Sequence, residues 1–187
     1  MAKHGIFEST KLYGCMNVSF VADVDMDNGS IVAIEGLADG CTDVYKAKEP
    51  AKTEKIYIVG HPAYGYNDVR AEEKNEDEYT NEAGKIFRTY ELKADRKFKV
   101  SSDMIQKVDT HTELAVGQYV AQDGTTYKLK AYTDKPADTN FVGIIETIEE
   151  TGFPYFAGSK GVEVPDMGYA LDTRIVKVKI RVLKNND

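Results

Sequence analysis

Tryptophan is absent, cysteine occurs twice and proline five times in 187 residues. Two cysteines, Cys15 and Cys41, are too few for a small disulfide-stapled scaffold. Neither lies in a C-x-x-C pair, and the three histidines (His4, His61, His111) are scattered, so no zinc-ligand spacing is present. Two free thiols are expected, with no disulfide and no metal. No apolar run approaches the ~18 residues of a membrane-spanning helix. The opening Met-Ala-Lys-His-Gly-Ile-Phe-Glu lacks the apolar stretch of a secretory signal, and none is expected. Basic residues are outnumbered, 24 against 31 acidic, for a net charge of −7. A phosphate-binding surface is normally basic, so nucleic acid is not the expected partner. Also missing are G-x-S-x-G, a P-loop, G-x-G-x-x-G and H-E-x-x-H. No cofactor is predicted, and the chain is expected not to be an enzyme.

What is present is alternation of period two. Val18, Phe20, Ala22, Val24 and Met26 face one way, with Asp23, Asp25 and Asp27 opposite them. Asn28-Gly29 then reads as a hairpin turn before Ile31–Ile34, because both residues tolerate positive φ. Strands are further expected at 43–48, 56–59, 86–92, 98–100, 118–121, 127–132 and 141–148. The clearest lies near the C-terminal end of the sequence, where Val176, Val178, Ile180 and Val182 alternate with Lys177, Lys179 and Arg181. Short strands between Gly, Asp-Gly and Pro predict an all-β barrel or sandwich. One short helix is expected at 102–108, capped by Ser102. The acidic run 72–78 reads as a solvated loop.

An internal echo predicts two related β units. Asn28-Gly29-Ser30-Ile31-Val32, Asp39-Gly40, Lys46-Ala47, Pro50 and Val59-Gly60 recur as Val116-Gly117-Gln118-Tyr119-Val120, Asp123-Gly124, Lys130-Ala131, Pro136 and Val142-Gly143. The expected organisation is an arm over 1–17, a first unit over 18–100 with a loop insertion at 62–84, and a second unit over 101–187. The two units are also compatible with packing as one domain.

Candidate sites are few. Asp23–Gly29 has the acids of a calcium loop but not its sixth-position Gly or twelfth-position Glu, so calcium is not expected. His61 sits in a Tyr- and Gly-rich stretch with Tyr64 and Tyr66, and Phe153, Tyr155 and Phe156 form a second aromatic loop. Such rings suit a sugar or a protein partner. No carboxylate lies near His61 in sequence to make it a base. Residues 173–187 carry a local +4, and Arg174, Lys177, Lys179 and Arg181 are candidates to meet acidic groups on a neighbour, against the simpler role of edge protection. Lys3, Phe7 and Lys11 are contact candidates on the arm.

Val116-Gly-Gln-Tyr-Val-Ala-Gln-Asp-Gly-Thr-Thr, continuing to Phe141-Val-Gly-Ile-Ile, resembles the small β-barrel of lambda-type capsid decoration proteins of tailed bacteriophages. The resemblance covers about residues 114–150, and residues 28–60 only through the echo. It implies a non-enzymatic virion protein on the outside of an expanded phage head, bound to the major capsid protein, often as a trimer. It also implies that residues 1–17 join the shell, and it carries over no catalytic residue. The extra 62–110 region is foreign to the smallest members. Other expectations are a tail-tube or head–tail joining protein, then a carbohydrate- or partner-binding β module.

Overall fold

The structure is a computed structural model that describes residues 4–62, 79–109, 112–151, 154–156, 170–172 and 175–185. The first half holds β1 (Phe7–Lys11), β2 (Asn17–Val21), β3 (Met26–Asp27), β4 (Ile31–Leu37), β5 (Val44–Lys48), β6 (Tyr57–Val59), β7 (Thr80–Asn81) and β8 (Ile86–Glu91). Next come β9 (Lys97–Ser101), a single 3-10 turn (Ser102–Met104), β10 (Ile105–Gln106), β11 (Tyr119–Gln122) and β12 (Leu129–Tyr132). The chain ends with β13 (Phe141–Thr151), β14 (Pro154–Phe156), β15 (Ala170–Asp172) and β16 (Ile175–Asn185). The protein is all-β, as its alternation predicts.

Five strands close into a barrel in the order β2-β5-β4-β6-β8, with β8 returning to β2. Only β2 and β5 run parallel; the other pairs are antiparallel. A second, seven-stranded sheet has the order β1-β9-β16-β13-β11-β12-β10. Within it β10 and β12 are the parallel pair. Its two sides are linked by one piece of chain: residues 97–106 pair with β16 through β9 and with β12 through β10. Segment 97–106 therefore stands where β2 stands in the barrel, and β12, β11, β13 and β16 stand where β5, β4, β6 and β8 stand. The echoed words fall on matching strands. Gly29 and Gly117 precede the central strands at φ 89° and 91°, and Gly40 and Gly124 follow them at φ 74° and 85°, in the left-handed region that favours glycine.

Burial follows the alternation. Phe20, Ala22, Met26, Val32, Val59 and Phe87 form one core cluster, with Tyr45 and Tyr57 packed against it. A larger cluster takes Phe98, Val100, Val120, Leu129, Phe141, Ile145, Val178, Ile180 and Val182 from the sheet. It also takes Ile31, Ile56, Ile58 and Leu92 from the first half of the chain, so the two units share it. Each fully buried aliphatic or Phe side chain contributes roughly 1.5–3 kcal/mol.

Side-chain amides fasten the units together. Gln122 is fully buried; its Nε2 donates toward the carbonyls of Ala51, Lys52 and Glu54 (3.2, 3.0 and 2.8 Å), and its Oε1 accepts from Phe141 N–H at 3.1 Å. Asn185 Nδ2 donates to the carbonyls of Ile56 and Leu92, while its Oδ1 accepts from Ile56 N–H. These amides satisfy backbone groups where no strand is available to pair with them.

Several expectations are corrected. Asn28-Gly29 does not turn a hairpin: β2 pairs with β5 and β8, and β3 pairs with β7. Val24 is 49% exposed because the chain has left the barrel before it reaches β3. The helix expected at 102–108 is one 3-10 turn followed by a strand, and Ser102 does not cap it. The preceding residue, Ser101, shows no capping bond; its Oγ accepts from Ile6 N–H. Residues 1–17 are not a free arm throughout: β1 pairs antiparallel with β9, Ile6 is 3% exposed, and Phe7 packs on Tyr90 and Phe98. The sheet itself crosses the 100/101 division, since β9 belongs to it together with β10–β13 and β16. The insertion 62–84 contains β7, and its residues 63–78 lie outside the described residues.

Deleting residues 2–12 is therefore expected to destabilise the body, lowering the urea midpoint by an amount equivalent to about 3 kcal/mol or more, since it removes Ile6 and Phe7 from the core. Gln122→Leu is expected to cost about 3 kcal/mol in the same measurement, because the buried Phe141 N–H loses its acceptor and three carbonyls lose their donor.

Candidate functional site

His61 follows directly from β6 and is held by its backbone. Its N–H donates to Asn28 Oδ1 and its carbonyl accepts from Asn28 Nδ2, both at 2.9 Å. The amide of Asn28, only 6% exposed, thus acts as a short piece of strand. Asn81 extends the network, donating to Met26 O at 2.8 Å and toward Asn28 Oδ1 at 3.3 Å. The His61 ring stacks on Tyr79 with centroids 6.2 Å apart. Its Nδ1 accepts from the Arg88 backbone N–H at 3.3 Å. Burial, reinforced by the Arg88 charge, pushes its pKa below the ordinary histidine value. The lowered pKa favours the uncharged ring, and the Arg88 N–H on Nδ1 favours the tautomer with the proton on Nε2.

Beside it lies a half-open cavity of about 160 Å³ lined by Ile6, Phe7, Ser9, Asn28, Gly60, His61, Pro62 and Tyr90. Gly60 has no room for a larger residue: a Cβ there would lie 2.4 Å from the Phe7 ring and 2.9 Å from that of Tyr90. None of the described lining residues is Asp, Glu, Lys or Arg. Among the described residues no group of three His, Cys, Asp or Glu side chains is placed to hold a metal. Cys15 and Cys41 are both free thiols.

The basic strand lies elsewhere. Val178, Ile180 and Val182 turn into the core, leaving Lys177, Lys179 and Arg181 on the opposite face of β16. Register sets Lys179 opposite Lys99 and Arg181 opposite Lys97, pairs of like charge that repel. Carboxylates from neighbouring strands neutralise them. Glu146 on β13 contacts Lys97 at 2.7 Å and Arg181 at 2.9 Å, Glu149 contacts Lys99 at 2.7 Å, and Glu8 on β1 pairs with Lys177. The hydrogen bond from Lys97, aided by Arg181, holds the Glu146 carboxyl below the usual range; that from Lys99 does the same for Glu149. The same Glu149 contact raises Lys99.

Of the sequence-predicted contact residues, Phe7 lines the cavity and packs in the core, and Lys11 is exposed at the end of β1. Tyr155 and Phe156 lie on β14, paired with β15. Lys3, Tyr64, Tyr66, Phe153 and Arg174 lie outside the described residues. The structure brings Phe7 and His61 to one cavity and places Lys177, Lys179 and Arg181 on a separate face. Sequence reasoning did not identify Asn28, Ser9 and Tyr90 as parts of the cavity, or Glu8, Glu146 and Glu149 as partners of the basic strand. Only the alternation of each strand hinted that those acids face outward, and nothing local gave the register.

The lowered carboxylates set an acid dependence. Their folded pKa lies below the unfolded one, so their stabilisation is complete above the ordinary carboxylate range and is lost as pH falls through the lowered values. Glu146→Gln should cost about 1 kcal/mol at neutral pH and flatten the fall in unfolding midpoint between neutral and acid pH. No protein-family model, curated protein or solved structure matches this chain.

Proposed function

We propose that this chain is a non-enzymatic structural protein of a tailed-phage particle, a decoration protein bound to the major capsid protein on the outer surface of the head. One observation carries the reading. The segment that resembles the decoration family, together with its echo, forms the central strands of two five-stranded units of the same connectivity. Joined through a shared core and the hydrogen bonds of side-chain amides, the two units make a stiff β body, which is what reinforcing the joints of a shell requires. The virion location and the trimer belong to the same proposal and rest on the resemblance.

The surface that contacts the shell differs from the simplest expectation. Lys177 and Arg181 are already paired within the chain, whereas Lys179 has only the nearby Glu149 charge among the described residues. A docking role for this face would therefore fall on Lys179, and Lys177 would act on stability.

Purified protein should co-sediment saturably with expanded heads that lack it, at a fixed ratio to the shell subunit, and not with unexpanded heads. Lys179→Glu should weaken that binding without lowering the unfolding midpoint, and Lys177→Glu should lower the midpoint. Failure of the folded protein to bind either kind of head overturns the proposal. Spontaneous assembly into rings in solution would replace it with a tail-tube role.

A further inference from the structure

The cavity beside His61 combines three features. Its walls include the rings of Phe7 and Tyr90, whose centroids are 5.4 Å apart. None of the described lining residues is Asp, Glu, Lys or Arg, so among them there is no counter-charge for an anion or a cation. Its polar groups are divided in use: the Asn28 amide is spent on the His61 backbone, while Ser9 Oγ, Tyr90 OH and His61 Nε2–H have no protein partner among the described residues. Aromatic walls with uncommitted neutral donors and acceptors suit a ligand that has an apolar C–H face and hydroxyl edges. A volume of about 160 Å³ holds one six-membered ring of that kind, not a chain of them.

We propose that this cavity binds a single neutral pyranose ring, with the ring's C–H face against the aromatic wall and its hydroxyls bonded to Ser9, Tyr90 and His61. Rigid support favours the site. His61 is clamped by Asn28 and stacked on Tyr79, and Tyr90 is fixed in β8 between Phe7 and the barrel wall. Little side-chain freedom remains to be lost on binding, which keeps the ordering cost small. The proposal is independent of capsid binding and survives or fails apart from it.

The test is an NMR titration of the full chain carrying ¹³C-labelled histidine rings. The probes are the methyl glycosides of glucose, galactose, mannose and N-acetylglucosamine, the free sugars, and sodium acetate. At least one methyl glycoside should shift the His61 ring signals saturably and leave those of His4 in place. Binding of free sugars but not glycosides would assign the site to monosaccharides rather than glycan ends, with the ring recognition intact. Tyr90→Phe and Ser9→Ala, which each delete one hydroxyl, should weaken binding about 3- to 10-fold, the effect of one hydrogen bond. Ser9 is exposed, so its variant retains the fold. No saturable shift with any sugar, an affinity unchanged in both variants, or a shift with acetate alone overturns the proposal.

Discussion

Side chains leave β4 and β6 on two faces, and each face is the wall of a different core. Val32 and Val59 point into the barrel with Phe20 and Phe87, while Ile31 and Ile58, one residue away, belong to the cluster shared with the seven-stranded sheet. A strand buried on both sides must be apolar without interruption, which is why Ile31-Val32-Ala33 and Ile58-Val59 read as short continuous runs. Register becomes strict for the same reason. A slip of one residue would exchange the two sets of side chains and spoil both cores at once. Barrel and sheet are consequently tied at their most buried strands, and anything built on one is fixed relative to the other.

That junction also places the polar elements. Where strands end beside the shared core, backbone groups would be left dry, and Gln122, Asn185 and Asn28 supply the missing partners. The Asn28 clamp does a second thing, because it holds the backbone of His61 at the rim of the cavity. The cavity is thus a consequence of how the end of β6 is fastened beside the start of β4, and its polar wall exists because an amide was needed there for the fold.

Much of the fold was legible because alternation is local. Val176–Val182 announces one buried and one charged face with no knowledge of its neighbours, and the echo of Gly29–Gly60 in Gly117–Gly143 anticipates matching strand order. What could not be read was pairing. Asn28-Gly29 carries the strongest hairpin signal in the chain, yet β2 finds its partners 23 or more residues away, in β5 and β8, because closing the barrel buries Phe20 on Phe87. The partners of the basic strand could not be read either, because Glu8, Glu146 and Glu149 are distant from it in sequence. Cross-strand register brings them beside the lysines. The cavity was half visible, through His61 and Phe7, and its other walls come from residues with no shared motif.

The two units share one plan and depart from it at Ser102–Met104. In the barrel, β2 runs unbroken between β8 and β5; in the sheet, the matching segment breaks at Ser102–Met104 before resuming as β10. Breaking a strand forfeits ladder hydrogen bonds, so something must offset the loss. Met104 supplies it: only 1% exposed, it packs where the start of β1 meets the Asn28-Gly29 segment. A Cβ on Gly5 would lie 2.3 Å from Met104 Sδ, and one on Gly29 would lie 3.1 Å from its Cγ, so both glycines are small to admit that side chain. The break also leaves an edge of β9 open, and β1 occupies it, with Ile6 N–H bonded to Ser101 Oγ and Ser101 N–H to Ile6 O. A defect in the second unit thus becomes the socket for the chain's first strand. The same insertion brings Ile6, Phe7 and Ser9 against Gly60 and His61, completing a cavity that neither unit would form without β1.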